Sequence, residues 1–180
     1  MLATSPAFAI SGGPVYSSAS TYVGTYAGVL QGLFDPTLQG ASSINSIGVF
    51  SLGVPTTGIG KGEFVMFTRG RVFSGNIQAN ANPNNSVLKG VLYAAFTYDR
   101  ISITGGVTTP VTATVNGSMD AKLSTSKTAR VFTTSSTIIR GTAFLDIEQG
   151  AAPVAGDPVI NGTISLSVTG FRQSTAPPTT

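Results

Sequence analysis

The feature that most constrains this chain is a recurring alternation: an apolar residue, a glycine two positions later, then apolar or small residues at every second place. The stretches that carry it are 22–30, 73–79, 88–96, 115–123, 139–147 and 160–168. A period of two residues is that of a β-strand, so each stretch can bury one face. A glycine on the inward face leaves room for a sharp bend or for close approach of another backbone. The pattern therefore predicts a β-scaffold.

Length and composition together predict a single all-β domain. The chain has 180 residues, and a domain of that size buries about 70% of its unfolded surface without needing a metal or disulfide. Segments rich in Val, Ile, Thr, Phe and Tyr alternate with turn-forming residues. The predicted strands are 21–33, 44–54, 62–68, 71–79, 87–104, 107–115, 117–125, 129–139, 141–149 and 159–172. We expect a single antiparallel β-barrel or a two-sheet sandwich, with helix limited to one turn near 35–38.

Some of the glycines also permit a different interpretation. Asn116-Gly117 and Asn161-Gly162 are dipeptides typical of type I′ hairpin turns. Each of these two pairs is either a turn or part of a strand, and the sequence leaves both alternatives open. Arg140-Gly141 and Lys89-Gly90 are weaker turn signals, and we expect strands there.

Composition divides the chain into three parts. We expect residues 1–20 to form an extended N-terminal arm and linker, residues 21–172 the β-domain, and residues 173–180 a Pro- and Thr-rich tail. The arm is separated from the domain by Gly12-Gly13-Pro14 and by a run of Ser and Ala, which are typical of a linker.

The arm has the alternation of a strand. Leu2, Phe8 and Ile10 fall on one side of an extended chain, and we expect them to anchor the arm on a neighbouring subunit as a donor strand. A second interpretation rests on Ala7-Phe8-Ala9, which has the A-x-A arrangement found where secretory signal peptides end. On that interpretation residues 1–9 are a remnant of a signal peptide.

The charge content indicates an unusual surface. Charged residues make up 9% of the chain and its net charge is +3, whereas typical soluble domains contain roughly 25% charged residues. The surface must therefore be largely Ser, Thr, Asn and Gly, or be covered by a partner. The basic residues are scattered and no recognition helix is predicted, so we expect no nucleic-acid partner.

Several predicted strands are apolar on both faces. Phe64-Val65-Met66-Phe67 is an unbroken apolar run, and Leu92-Tyr93-Ala94-Ala95-Phe96 is similar. Only one face of a single-layer barrel can enter the core of a monomer. We therefore predict that Val65, Phe67, Val91 and Tyr93 lie either beneath a covering segment or in an intersubunit contact.

The residues present argue against an enzyme. The chain has no His and no Cys, which excludes a Ser-His-Asp triad and thiolate sites. Asp146 and Glu148 are spaced to lie roughly 6.5–7 Å apart on one strand face, a separation that could suit a glycosidase. They alternate with Ala143, Leu145 and Ile147, however, which assigns them to the solvent face. We predict no catalytic, cofactor or metal site, and no apolar run is long enough for a transmembrane helix.

Two stretches carry a resemblance to a known class of protein. Gly24-Thr25-Tyr26-Ala27-Gly28-Val29-Leu30 and Ile160-Asn161-Gly162-Thr163-Ile164-Ser165-Leu166 look like the Gly/Thr/Ser-rich β-repeats of bacterial cell-surface proteins. The arm is similar in its logic to the donor strands of pilus and matrix-fibre subunits. The resemblance implies an extracellular or cell-surface location, in bacteria, and no particular site.

These observations together predict a secreted structural subunit. We expect it to polymerise with copies of itself into an extracellular filament or surface layer, by strand addition between subunits. Two alternatives stay open. One is a β-barrel module that binds a small ligand or carbohydrate in a cavity lined by inward Tyr and Phe residues. The other is a viral capsid or tail protein, a class that shares low charge, β-structure and extended arms.

Overall fold

In this computed structural model the alternating segments form eight strands, each antiparallel to the next along the chain. The strands are β1 (Gly24–Pro36), β2 (Ile44–Val54), β3 (Ile59–Thr68), β4 (Arg71–Asn82), β5 (Val87–Ile101), β6 (Thr108–Ser126), β7 (Ser136–Gln149) and β8 (Gly162–Ser174). β8 pairs with β1 and closes the sheet into a barrel. The all-β prediction is confirmed, and of the two expected architectures the chain adopts the barrel.

The structure describes part of the chain. The described residues are 22–37, 40–82, 86–101, 108–126, 136–151 and 160–178. None of these residues is helical. The predicted arm, with Leu2, Phe8 and Ile10, lies outside the described residues, as do residues 127–135 between β6 and β7. The predicted helical turn near 35–38 is instead the end of β1 as far as Pro36, and Leu38 is not among the described residues.

The predicted break between 107–115 and 117–125 is wrong, because both segments belong to the single strand β6. Gly117 does not adopt a positive φ, and it pairs with Leu92 on one side and Leu145 on the other. The Asn116-Gly117 pair is therefore an interior strand position and not a hairpin turn. A strand buried between two neighbours continues through such a glycine, because its ladder of hydrogen bonds is intact on both sides.

The predicted break at residue 140 is also wrong, since Arg140 and Gly141 lie inside β7. The expectation of strand structure at this pair and at Lys89-Gly90 is confirmed. Asn161-Gly162 marks the beginning of β8, and the Asn161 side chain accepts a hydrogen bond of 2.8 Å from the Gln149 N–H at the end of β7. Here the Asn-Gly pair begins a strand.

The inward faces of all eight strands meet in one apolar core. An eight-stranded barrel is just wide enough for inward side chains to fill it, and residues at alternate positions of every strand contribute. The largest fully buried side chains are Tyr26, Phe34, Phe64, Leu30, Leu52, Met66, Leu88, Leu92, Leu123, Ile139, Leu145 and Ile164. The inward alternation predicted from the sequence is the packing pattern of this core.

The inward glycines are the places where large side chains cross to a neighbouring strand. A Cβ added at Gly28 would lie 2.5 Å from the Phe50 ring, and one added at Gly75 would lie 2.6 Å from the Phe64 ring. Phe50 and Phe64 are the direct cross-strand partners of these glycines. Large residues thus cover glycines on the adjacent strand, an arrangement that lets strongly curved sheets remain filled.

Closure of the barrel has a consequence for strand addition. A donor strand needs a row of unpaired N–H and C=O groups at a sheet edge. Each described strand pairs with a neighbour on both sides over most of its length. Residues 95–99 of β5, however, pair with β6 alone, because the pairing of β5 with β4 ends at Ala94. Strand addition to the described barrel is therefore restricted to such short stretches.

Candidate functional surface

Among the described residues, the inward aromatic rings at one end of the barrel leave little space between them. The cavity among Phe34, Phe73, Phe96 and Ile147, at one end, has a volume of about 10 Å³, roughly the minimum that holds one water. Phe73 stacks on Phe96 with ring centroids 5.3 Å apart and meets Phe64 edge-on at 6.2 Å. The inward rings that were expected to line a binding cavity in the ligand-binding alternative pack against one another here.

Tyr98 joins two strands at the same end of the barrel. Its hydroxyl donates a hydrogen bond of 3.0 Å to the Gln149 side chain, and the Arg71 guanidinium lies 5.2 Å from the centre of its ring. A cation at this distance over an aromatic face is attracted by the ring quadrupole. These contacts link the ends of β4, β5 and β7. Tyr98, Gln149 and Arg71 therefore have a structural role at this end of the barrel.

Two tyrosines form hydrogen bonds at the opposite end of the barrel. The Tyr26 hydroxyl donates a hydrogen bond of 2.7 Å to the backbone carbonyl of Tyr22. The Tyr22 hydroxyl shares a hydrogen bond of 2.7 Å with Ser86. Burial raises the pKa of the Tyr26 phenol from 10.0 to about 12, and the Arg172 guanidinium opposes this in part. Burial dominates because the phenolate would lose its hydration inside the barrel.

This pKa predicts a loss of stability at high pH. Because the pKa of Tyr26 is higher in the folded state, its contribution is fully present below pH 10 and is lost as the pH rises through 12. Between these limits we expect the wild-type barrel to lose on the order of 2 kcal/mol more than the Tyr26→Phe variant. Urea unfolding at several pH values from 8 to about 12 measures this difference. Parallel pH profiles for the two proteins would contradict the assignment.

The outer face carries two adjoining rows of exposed apolar side chains. Val29 pairs with Val49 and Val49 with Val65 across β1, β2 and β3. Ile47 pairs with Phe67 and Phe67 with Val72 across β2, β3 and β4. We call these side chains the apolar patch, which consists of Val29, Ile47, Val49, Val65, Phe67 and Val72. Directly paired residues have Cβ atoms about 4.5–5.5 Å apart, so the two rows form one continuous surface.

The members of the apolar patch are exposed to solvent to a degree unusual for such residues. Exposure ranges from 39% for Val29 to 58% for Val72, apart from Val65, which is half-buried. An open depression of about 430 Å³ adjoins the patch, lined by Gln31, Leu33 and Asn45 beside Ile47. A contiguous apolar surface rimmed by polar groups marks a site of interaction with another molecule.

The structure brings together some of the predicted contact residues and separates others. Val65 and Phe67 belong to the apolar patch. Val91 and Tyr93 also face outward, with Val91 47% exposed and Tyr93 half-buried. Both lie on β5 between polar partners; Tyr93, for example, pairs with Asn76 and Asn116. All four side chains face outward, but only Val65 and Phe67 share a surface, and their contact with another subunit stays a prediction.

The sequence analysis missed the remaining members of the patch. Val29, Ile47 and Val49 each stand next to a glycine or between small residues, so they do not form the long apolar runs that drew attention to Val65 and Phe67. A signal was nevertheless present, because they alternate with inward residues in the period of a strand. Whether these side chains lie side by side on adjoining strands depends on the register of strand pairing, and the sequence alone does not reveal that register.

Charge is distributed unevenly around the outer face. In the described strands, the outward residues 27–33 of β1, 45–53 of β2 and 72–80 of β4 are all uncharged. The outer faces of β5, β6 and β7 carry Lys89, Asp99, Asp120, Lys122, Arg140, Asp146 and Glu148. Lys89 and Asp120 form an ion pair of 3.5 Å that is well exposed. The outer face of β3, which contributes Val65 and Phe67 to the patch, carries Lys61 and Glu63. Charge is therefore densest on β5 to β7, and the apolar patch adjoins the two charges of β3.

The predicted solvent-facing position of Asp146 and Glu148 is confirmed. Both lie on the outer face of β7, where their partners on β6 are Asn116 and Thr114. Within the described residues no group of three or more His, Cys, Asp or Glu side chains is placed to hold a metal ion. No helix in this part of the chain is long and apolar enough to cross a membrane.

Comparison of the chain with protein-family models, with curated proteins and with solved structures found no match. Functional argument for this protein therefore depends on its own residues and on the geometry of its barrel.

Proposed function

We propose that this protein is a structural subunit that assembles with copies of itself outside the cell, with its N-terminal arm linking one subunit to the next. The observation that carries the proposal is the apolar patch, in which Val, Ile and Phe side chains form two adjoining rows. A barrel that is alone in solution would expose this surface to water. Covering such a surface releases the water that hydrates it, which favours association.

The distribution of charge supports the same proposal. Repulsion between like charges and the cost of desolvating them oppose close packing of subunits. The patch and its neighbouring outward residues on β1, β2 and β4 contain no such charges. The arm matches this surface, because Asp35 is the first charged side chain in the chain. The arm and the six side chains of the patch are therefore uncharged, and the nearest charges on the same face of β3 are Glu63 and Lys61.

The filled interior favours assembly over ligand binding. Sites for small molecules are typically cavities of about 300–1,000 Å³, whereas the space among the inward rings is about 10 Å³. A scaffold with a packed core and an apolar outer face is suited to bearing contacts with other subunits.

Negative-stain electron microscopy and sedimentation of the purified full chain test the proposal, beside a version that starts at Ser20. We expect regular filaments or sheets from the full chain and single particles from the shortened one. Near-UV circular dichroism establishes that the shortened version keeps the barrel. Uniform single particles from both proteins at every concentration would overturn the proposal, and closed shells would favour the capsid alternative.

A further inference from the structure

We infer that a row of outward side chains centred on Tyr93 is a binding site for a neutral carbohydrate. This site lies outside the apolar patch and does not depend on the proposed assembly. Five directly paired residues of β3 to β7 form the row, in the order Glu63, Asn76, Tyr93, Asn116 and Asp146. We call them the Tyr93 row. An aromatic ring thus lies between two amides, and a carboxylate stands at each end.

The polar groups of the Tyr93 row are not used by the barrel itself. Tyr22, Tyr26 and Tyr98 use their hydroxyl groups in hydrogen bonds to other parts of the chain. Tyr93 is the remaining tyrosine of the described residues, and within that part of the chain its hydroxyl has no partner. The same holds for the two amide side chains of the row. These groups are therefore available to a ligand.

A gap in the ladder between β4 and β5 adjoins Tyr93. The pairing of β5 with β4 ends at Ala94, whereas its pairing with β6 continues. The Leu123 N–H of β6 donates to the Ser86 carbonyl just before β5, so even-numbered residues of β5 direct their backbone groups toward β6 and odd-numbered ones toward β4. The N–H and C=O groups of residues 95 and 97 therefore have no strand partner at the gap. Residue 95 is exposed and follows Tyr93 on the outer face.

This set of groups matches the chemistry of a carbohydrate. The C–H groups of a sugar ring stack on an aromatic face, and tyrosine combines such a face with a polar end. Sugar hydroxyls both donate and accept, and an Asn side chain offers an oxygen acceptor and two donor protons. Neighbouring strands lie about 4.7–4.9 Å apart, so Asn76 and Asn116 are within reach of the hydroxyls of a sugar that lies on Tyr93. The carboxylates at the ends accept hydrogen bonds from the next sugars of an oligosaccharide that crosses the strands.

Charge argues against other ligands that stack on aromatic rings. Single-stranded nucleic acids bind by stacking too, but their sites lie in positively charged grooves. The Tyr93 row contains two carboxylates and no basic residue, so it repels a polyanion. Lys61, a basic residue on the outer face of β3, pairs with Gln78 in the adjoining row. A neutral ligand is therefore favoured over nucleic acid and over acidic polysaccharides.

Affinity electrophoresis of the full chain tests this site, in native gels that contain dextran, mannan, xylan or soluble β-glucan, and in gels that contain the acidic polysaccharide alginate. Tyr93→Val removes the ring and introduces a residue that favours strands. The matched control is Phe144→Val, which removes an outward aromatic ring of β7 that lies between Ser118 and Ser165 instead of between amides. Thermal unfolding establishes that both variants keep the barrel.

We expect at least one of the neutral polysaccharides to retard the wild-type chain, and Tyr93→Val to raise the dissociation constant roughly tenfold. The double variant Asn76→Ala/Asn116→Ala is expected to raise it by a similar factor, because two hydrogen bonds are lost. Phe144→Val is expected to bind as the wild type does. Absence of retardation in every neutral gel would overturn the inference, as would stronger retardation in alginate. Equal retardation of the wild type and Tyr93→Val, or equal losses in Tyr93→Val and Phe144→Val, would also overturn it.

Discussion

Alanine at Gly117 is expected to destabilise the barrel by about 3 kcal/mol, a large effect for the addition of one methyl group. An added Cβ would lie 2.3 Å from the backbone carbonyl oxygen of Phe144 and 2.5 Å from the Leu145 side chain. The carbonyl belongs to the ladder between β6 and β7 and cannot move without breaking it. Strands β6 and β7 must therefore separate locally, and the loss of packing spreads into the core. Thermal and urea unfolding measure the change.

Gly90→Ala is the matched control. Gly90 also faces inward, on the adjacent strand β5, but an added Cβ there would meet nothing closer than 3.2 Å. One of its nearest neighbours is the end of the flexible Met119 side chain, which can shift. We expect a loss of about 1 kcal/mol or less, partly offset by the lower entropy of the unfolded chain. If both variants unfold at the same urea concentration, the close approach of β6 and β7 does not explain why residue 117 is a glycine.

The double substitution Phe8→Asp/Ile10→Asp is expected to abolish assembly of the full chain while leaving the barrel folded. Burial of each large apolar side chain contributes about 1.5–3 kcal/mol, and a carboxylate in its place must be desolvated. Together these losses weaken each contact between subunits by roughly a hundredfold or more. Analytical ultracentrifugation over a range of concentrations, with electron microscopy, gives the measurement. Near-UV circular dichroism reports on the packing of the barrel.

The control for this prediction lies on the other side of the arm. Ala7→Asp/Ala9→Asp introduces the same two charges at the same spacing, but on the side of an extended arm opposite to Phe8 and Ile10. We expect this variant to assemble, with at most a modest loss from electrostatic repulsion. Persistence of polymers in Phe8→Asp/Ile10→Asp would contradict the role of the arm. Loss of polymers in both variants would show that any charge in the arm prevents assembly.

The location of the patch shows how far the sequence can lead. Val65 and Phe67 are recognisable because they stand in a continuous apolar run, in which one face must point away from the core. Val29 and Val49 are ordinary members of alternating stretches, and nothing local indicates that their side chains adjoin those of β3. Their adjacency follows from the pairing of Val29 with Val49 and of Val49 with Val65. Such pairing joins segments that are distant in the chain.

The predicted strand breaks at Asn116 and Arg140 show a second limit of the sequence, since local turn preference there misled the prediction. A dipeptide such as Asn116-Gly117 has a strong local preference for turns. That preference contains no information about the strands with which the dipeptide pairs in the folded protein. In the barrel, Gly117 is held between Leu92 and Leu145, and the ladder on both sides outweighs the local preference. The break was mispredicted because tertiary pairing overrides turn propensity at an interior strand.

The amino-acid sequence alone establishes that the chain is β, and which side chains of most strands point inward, because alternation is a property of one extended segment and needs no knowledge of its neighbours. Closure of the barrel depends on contacts such as Leu30 with Val168, which join the first strand to the last. Register across such distances follows from the fit of large side chains against glycines throughout the core. The choice of barrel over sandwich therefore arises only when the whole sheet closes, and the apolar patch forms only when β1 to β4 pair in this register.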